Sequence, residues 1–182
     1  MLKLSFFGKK AIGGNQSGRK WIVFIFCLLL IVCQLYISCQ SGSPVEDDES
    51  FAYKESIVQM INDYRRTGCD CGSEGYFAPA SPVIWNDTLA NAAKVHSTDM
   101  SANNFLNHTG SDGSSMGDRI KRLGYNMKTC GENIAKGYKN DKQVIQEWMK
   151  SPGHCRNIMI PYFKEIGFAR VGDCWTLVLG ER

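Results

Sequence analysis

Few residues in this 182-residue chain could carry acid–base, metal or thiol chemistry. The histidines are His96, His108 and His154. Neutral imidazole is a common metal ligand and proton carrier, and a carboxylate on its second ring nitrogen fixes the tautomer. His108 stands in the turn-forming run NHTGSDGSS, and His154 in Ser-Pro-Gly-His, just after a helix-breaking pair. Loops of this kind often bear functional groups. His96 falls on an apolar helical stripe, where a hydrogen-bonded core histidine is expected. Glu132, in Gly131-Glu132-Asn133, is the nearest carboxylate at a break between elements. His108, Glu132 and His154 are therefore the candidate cluster. The sequence has no His-Glu-x-x-His, so a standard zinc protease is not supported. Ser151 and Cys155 are the nucleophiles nearest a histidine. Cys155 follows His154 directly, which is poor geometry for a dyad.

The eight cysteines divide by position. Cys27 and Cys33 lie in an apolar run, and Cys39 just follows it. Cys69, Cys71, Cys130, Cys155 and Cys174 remain. Five thiols in an exported domain suggest two disulfides with one cysteine left over. Cys69-Asp70-Cys71 is a weak zinc signal, because C-x-C is not the usual spacing and no second pair follows.

Export is expected from the N-terminal segment. Trp21 to Ser38 reads WIVFIFCLLLIVCQLYIS, with a basic stretch before it. That order is the n-region and h-region of an export signal, and the run is also close to the ~20 residues of a membrane helix. Basic flanks stay inside, so residues 39–182 are expected outside the cytoplasm. Tyr36-Ile37-Ser38-Cys39 resembles a bacterial lipobox, which makes Cys39 a candidate lipidation site, although Tyr36 replaces the usual aliphatic residue. The alternatives are an uncleaved anchor and a freely secreted protein. Residues 1–38 thus read as an export signal or membrane anchor, 39–50 as a flexible acidic tether, and 51–182 as one domain.

Composition narrows the function classes. Lys3, Lys9, Lys10, Arg19 and Lys20 belong to the leader, which has no acidic residue; the rest carries 16 positive against 18 negative residues. A domain without net positive charge argues against nucleic acid as a partner. Hydrophobic content of 43% argues against wholesale disorder.

The elements that must position these groups follow from periodicity and caps. Ile57, Met60, Ile61 and Tyr64 share one helix face, closed by Gly68. A second helix starts at Asn86 or Asp87 and buries Leu89, Ala93, His96 and Met100. Ser115 and Asp118 have capping-box spacing for a short helix lined by Met116, Ile120 and Leu123. GENIAKGY is short and extended. Asp141 caps a helix with Val144, Ile145 and Trp148, which Pro152-Gly153 ends. KEIGFARV and CWTLVLG form a hairpin across Gly172-Asp173. Helices on an antiparallel sheet, an α+β domain, are the economical solution.

The stretches HSTDMSANNFLNHTGSDGSS, GENIAKGY, EWMKSPGHCRNIM and EIGFARVGDCWTLVLG occur in this order. Together they resemble the CAP superfamily of cysteine-rich secretory, antigen 5 and pathogenesis-related proteins, in its bacterial branch, over roughly residues 52–180. The resemblance implies a single α-β-α sandwich with an antiparallel sheet between helices. It implies a cavity of two histidines and two acids, on which His108, Glu132 and His154 fall. The fourth, acidic position falls on Ser151, and neither Glu147 nor Glu165 is assigned to replace it. Such an incomplete set would bind zinc or another divalent metal weakly, and no cofactor would be required.

The resemblance also implies a Cys71–Cys155 disulfide. Cys130 and Cys174, each at the edge of an expected strand, would form the second pair and leave Cys69 free. The favoured function is a binding module, tethered to the membrane by a lipid or an N-terminal helix, for a lipid, small ligand or protein partner. A metal-dependent hydrolase or peptidase, and a cell-surface interaction domain with a vestigial site, are the alternatives.

Overall fold

The computed structural model describes residues 44–182, with side chains from Asp48 onward. The expected leader, Cys27, Cys33 and the Cys39 lipid site lie outside the described residues. Among those described, no helix is long and apolar enough to cross a membrane.

Helix α1 spans Pro44–Thr67. It starts inside the acidic stretch expected as a tether, so residues 44–50 are helical; proline suits the first helical position. Ile57, Ile61 and Arg65 recur every fourth residue and are fully buried, with Met60 and Tyr64 packed beside them. Arg65 has no place in an apolar pattern. Its Nε donates to Ser81 O (2.9 Å), Nη1 to Ile158 O (2.6 Å) and Ile160 O (2.9 Å), and Nη2 to Phe163 O (3.1 Å). Burial pushes its pKa down to about 10.

The segment after α1 holds three two-residue strands: β1 (Cys69–Asp70) pairs antiparallel with β2 (Tyr76–Phe77), and β3 (Ile84–Trp85) joins the main sheet. Helix α2 (Asp87–Ala102) is capped by Asn86, whose side chain accepts from Leu89 N. Helix α3 (Met116–Arg122) has the full Ser115/Asp118 capping box. It buries Arg119 and Ile120, while Leu123, expected inside, is 41% exposed.

Strand β4 (Thr129–Lys136) is followed by α4 (Asp141–Lys150), whose cap is Asn140 rather than Asp141. Pro152 does not simply end α4. It opens another helix, α5 (Pro152–Met159), as proline can at a helix start. The hairpin of β5 (Glu165–Val171) and β6 (Cys174–Glu181) turns at Gly172, at φ +59°.

The main sheet runs β3-β5-β6-β4. Its long pairings are antiparallel as expected, but β3 lies parallel to β5. Alternation along the strands divides the core in two. Ala135, Ile166, Phe168, Trp175, Leu177 and Leu179 face α1, α4 and α5. Ala169 and Val178 face α2 and α3. Gly167 lets α2 approach closely, since a Cβ there would lie 1.9 Å from Ala90 N. Helices thus cover both sheet faces, which is the α-β-α sandwich.

Cys71 and Cys155 are bonded, with Cα atoms 5.5 Å apart. Cys130 and Cys174 are not, and the pairing expected between them is wrong. Cys130 opposes Gly180 and Cys174 opposes Lys136, so the two thiols sit at opposite ends of the β4–β6 ladder. Six residues of strand, about 20 Å, separate them, far beyond disulfide reach.

Candidate functional site

Strand β4 is an edge strand, and it builds the site by alternation. Glu132 opposes Val178 and so points to the α2 side; Asn133 opposes Leu177 and points to the α4–α5 side. The outward carbonyls of the edge are covered: Trp148 Nε1 donates to Ile134 O (3.2 Å) and Asn157 Nδ2 to Glu132 O (3.2 Å). Covering an edge in this way removes a free pairing surface. Asn133 Nδ2 donates to His154 O (3.1 Å), and Asn157 Nδ2 also donates to Asn133 Oδ1 (3.0 Å). The Gly-Glu-Asn stretch therefore aims a carboxylate to one side and ties down the start of α5 on the other.

Glu132 is buried with both oxygens engaged. His108 Nδ1 lies 2.8 Å from Oε1, and Arg119 Nη2 donates to Oε2 at 2.8 Å. Arg119, also buried, donates further to Ser114 O and His108 O, and so holds the loop that carries His108. With Arg119 pairing the carboxylate, the proton between His108 and Glu132 belongs on Nδ1, and Nε2 points away from the pair. The His108 side chain is 57% exposed.

His96 lies beneath this pair. Its Nε2 donates to Asn107 O at 2.8 Å and stands 3.9 Å from Glu132 Oε1, while its buried Nδ1 has no partner. Burial pushes its pKa down, against the pull of Glu132. It is the core histidine expected, with the added part of backing Glu132.

His154 belongs to a different wall. It lines a groove of about 300 Å³ with Leu106, Ile134, Ala135, Tyr138 and Trp148. Ser151, Lys136 and Glu147 complete the lining, whereas His108 and Glu132 do not reach it. The His154 ring sits 6.4 Å from that of Trp148. Burial and then the charge of His108 push its pKa down. Glu147 Oε1 accepts from Lys150 Nζ at 2.7 Å. Glu165 is remote from the groove, held by Tyr125, Asn86 and Arg182.

Three candidates are thus handled differently. His108 and Glu132 come into direct contact, and His154 stands on the adjoining groove with Ser151. Among the described residues, the one set of three ligand atoms close enough to share a metal is Cys69, Cys71 and Cys155. His108, Glu132 and His154 do not make a three-ligand centre, and Glu132 is already committed to Arg119. Arg119 and Asn157 were missed from sequence; a charged residue on a short amphipathic helix reads as solvent-facing, and only the capping box marks where α3 must dock.

The fold and the order of these motifs along the chain point to the same class of protein. The family model for CAP, the cysteine-rich secretory protein family, matches residues 58–178, and the chain belongs to that family. Among curated relatives it is 35% identical over 127 residues to the uncharacterized protein YkwD of Bacillus subtilis, and 29% identical over 83 residues to the uncharacterized membrane protein YlbC of that organism. Those matches cover 69% and 46% of this chain but only 46% and 24% of the relatives, so the chain spans less than half of either.

Solved structures share the fold. An extracellular protein with an SCP domain from Bacillus anthracis superposes with TM-score 0.59 at 23% identity, over 71% of this chain and 41% of the other. An outer surface protein of Borrelia burgdorferi gives 0.57 at 18%, over 74% and 93%. A cysteine-rich secretory protein of Staphylococcus aureus gives 0.56 at 17%, over 71% and 38%.

Proposed function

We propose that this chain is an extracytoplasmic, membrane-tethered binding module whose groove along β4 receives a ligand with an apolar body and a polar end. The observation that carries this reading is the state of Glu132. Both of its oxygens are engaged, by Arg119 and His108, so it is spoken for as a positioning group. The groove itself is walled by Leu106, Ile134, Ala135 and Trp148, with His154 and Ser151 as polar points. Small-ligand sites commonly combine apolar walls with a few placed polar groups. The location is supported by the leader pattern and by fold neighbours described as extracellular or outer-surface proteins. The tether is a lipid on Cys39 or the apolar leader itself; nucleic acid is not a partner.

No cofactor is required in this reading. His108 Nε2 and His154 are the groups that would hold a divalent ion, and two imidazoles hold zinc weakly, since catalytic zinc sites usually have three protein ligands. Ser151 supplies no carboxylate where the resemblance implies an acid, so the groove lacks the second acidic group of the full set.

The test is native mass spectrometry of the full detergent-solubilised chain after exposure to a total lipid extract. A retained ligand is expected, and it should be lost at least tenfold in Leu106→Asp, a change at an exposed position of the groove. Absence of any retained species would favour the interaction-domain reading. Turnover of a peptide library or of nitrophenyl esters, abolished by both His108→Ala and His154→Ala, would overturn the module in favour of a hydrolase.

A further inference from the structure

The C-x-C pair after α1 and the cysteine at the second turn position of the His154 helix converge on one point. Cys69 and Cys71 flank Asp70, and the sulfurs of both lie against that of Cys155 on α5. Cys71 and Cys155 are bonded, and Cys69 keeps a free thiol. That thiol lies 3.6 Å from Cys155 Sγ and 3.9 Å from Cys71 Sγ. Among the described residues no other free cysteine joins the cluster: Cys130 and Cys174 lie on β4 and β6.

We propose that Cys69, Cys71 and Cys155 form a thiol–disulfide exchange site, in which the protein passes between a Cys71–Cys155 and a Cys69–Cys155 isomer. The Cys69 thiol first loses its proton to solvent. Its thiolate attacks Sγ of Cys155, the Cys69–Cys155 bond forms, the Cys71–Cys155 bond breaks, and the departing Cys71 thiolate takes up a proton. One disulfide and one thiol exist before and after, so no oxidant or reductant is consumed.

Chain entropy does not choose between the isomers. The bridged cysteines are separated by 84 residues in one and 86 in the other, and loop cost changes only with the logarithm of length. The choice lies in local geometry. Cys71 is almost fully buried, and Cys69 is half-buried at the start of β1, which favours the isomer observed. The hairpin stays on α5 in either case. Arg156 Nη1 pairs with Glu74 Oε2 at 3.2 Å, and Gly72 abuts Pro152.

The near-equal distances put Cys69 beside the bridge. An in-line attacker would stand about 2 Å farther from the leaving sulfur, so exchange needs a rotation of the Cys69 side chain. Burial, and then Asp70, hold the Cys69 thiol above its usual range. Exchange should therefore be slow at neutral pH and faster in base, since the thiolate is the nucleophile.

The experiment uses the oxidised full chain in detergent, held at pH 7, 8 or 9, quenched in acid, alkylated and mapped without reduction. Alkylation on Cys69 is expected at the start. A Cys69–Cys155 peptide with alkylated Cys71 should then grow in, its initial rate rising about tenfold per pH unit. Cys71→Ser should isolate the second isomer as a Cys69–Cys155 bridge. Among Cys69, Cys71 and Cys155, alkylation confined to Cys69 throughout, or a folded Cys71→Ser protein with Cys69 and Cys155 both alkylated, would overturn the proposal. So would a Cys69–Cys155 peptide accompanied by equal amounts of Cys130- and Cys174-linked peptides, which is general scrambling. If Cys71→Ser does not fold, the wild-type time course decides alone.

Discussion

Glu132 and Glu165 are both buried carboxylates on the α2 side of the sheet, and both are held by an arginine. Their surroundings differ. Glu132 pairs with a buried arginine and with a half-exposed imidazole whose charge reaches the groove. Glu165 is closed off by Tyr125, Asn86 and Arg182. A buried, satisfied acid is thus no mark of a site by itself. What sets Glu132 apart is the histidine it orients and the edge strand, beside the groove, on which it sits.

The contrast is sharpest in stability. Glu132→Gln leaves Arg119 charged and buried without its counter-charge, and breaking a buried pair in this way costs about 3–5 kcal/mol. Urea unfolding of the full chain should show that loss. Glu165→Gln should cost less than half as much, because the Arg182 side chain is 57% exposed and can turn to water. Equal losses would break the comparison.

Acid should separate the two regions next. His96 and His154 have folded pKa values below the usual histidine value, so the unfolded chain binds protons first. Their contribution is present above about pH 6.5 and is lost as pH falls below it. The Glu165 carboxyl is also depressed, by Arg182, Tyr125 and Asn86 against its burial. Its contribution is present above the usual carboxyl value of about 4.3 and is lost only as pH falls further, through the folded value. Denaturation midpoints measured from pH 8 to 3 should fall in two stages. His96→Phe should flatten the first stage and Glu165→Gln the second.

The smallest effect concerns the link to the groove. His108→Ala should scarcely change stability, since the side chain is largely exposed, yet it should raise the His154 pKa by removing a neighbouring positive charge. Proton NMR of the His154 ring would read this. An unmoved His154 would mean that the Glu132 pair and the groove are independent.

Much of this arrangement was legible in the chain. The stripes of α1 and α2, the capping box of α3 and the Gly172-Asp173 hairpin all follow from periodicity and turn chemistry. The two-residue strands β1, β2 and β3 could not, because two residues have no period. Pro152-Gly153 reads as a stop, and the same proline is a helix start when a serine precedes it, so α5 was hidden. Cys130 and Cys174 both sit at strand ends, but sequence does not reveal that antiparallel pairing sends those ends apart. The His108–Glu132 contact joins residues 24 apart; residue type and loop context made them candidates, and the family motifs joined them. Arg119 had no signal of that kind, because its importance comes from what lies opposite.

Arg65 implies an uneven tolerance to change. Its four acceptors are main-chain oxygens of Ser81, Ile158, Ile160 and Phe163. A carbonyl is offered by every amino acid, so this network places no demand on the side chains at those four positions. All of the chemical specificity rests on the guanidinium, whose planar fork can reach several oxygens at once where an ammonium cannot. One residue therefore fixes the joint between α1, the Ser81 segment and the end of α5, and the side chains at its acceptors answer to packing alone, as Ile158 and Phe163 do in the core.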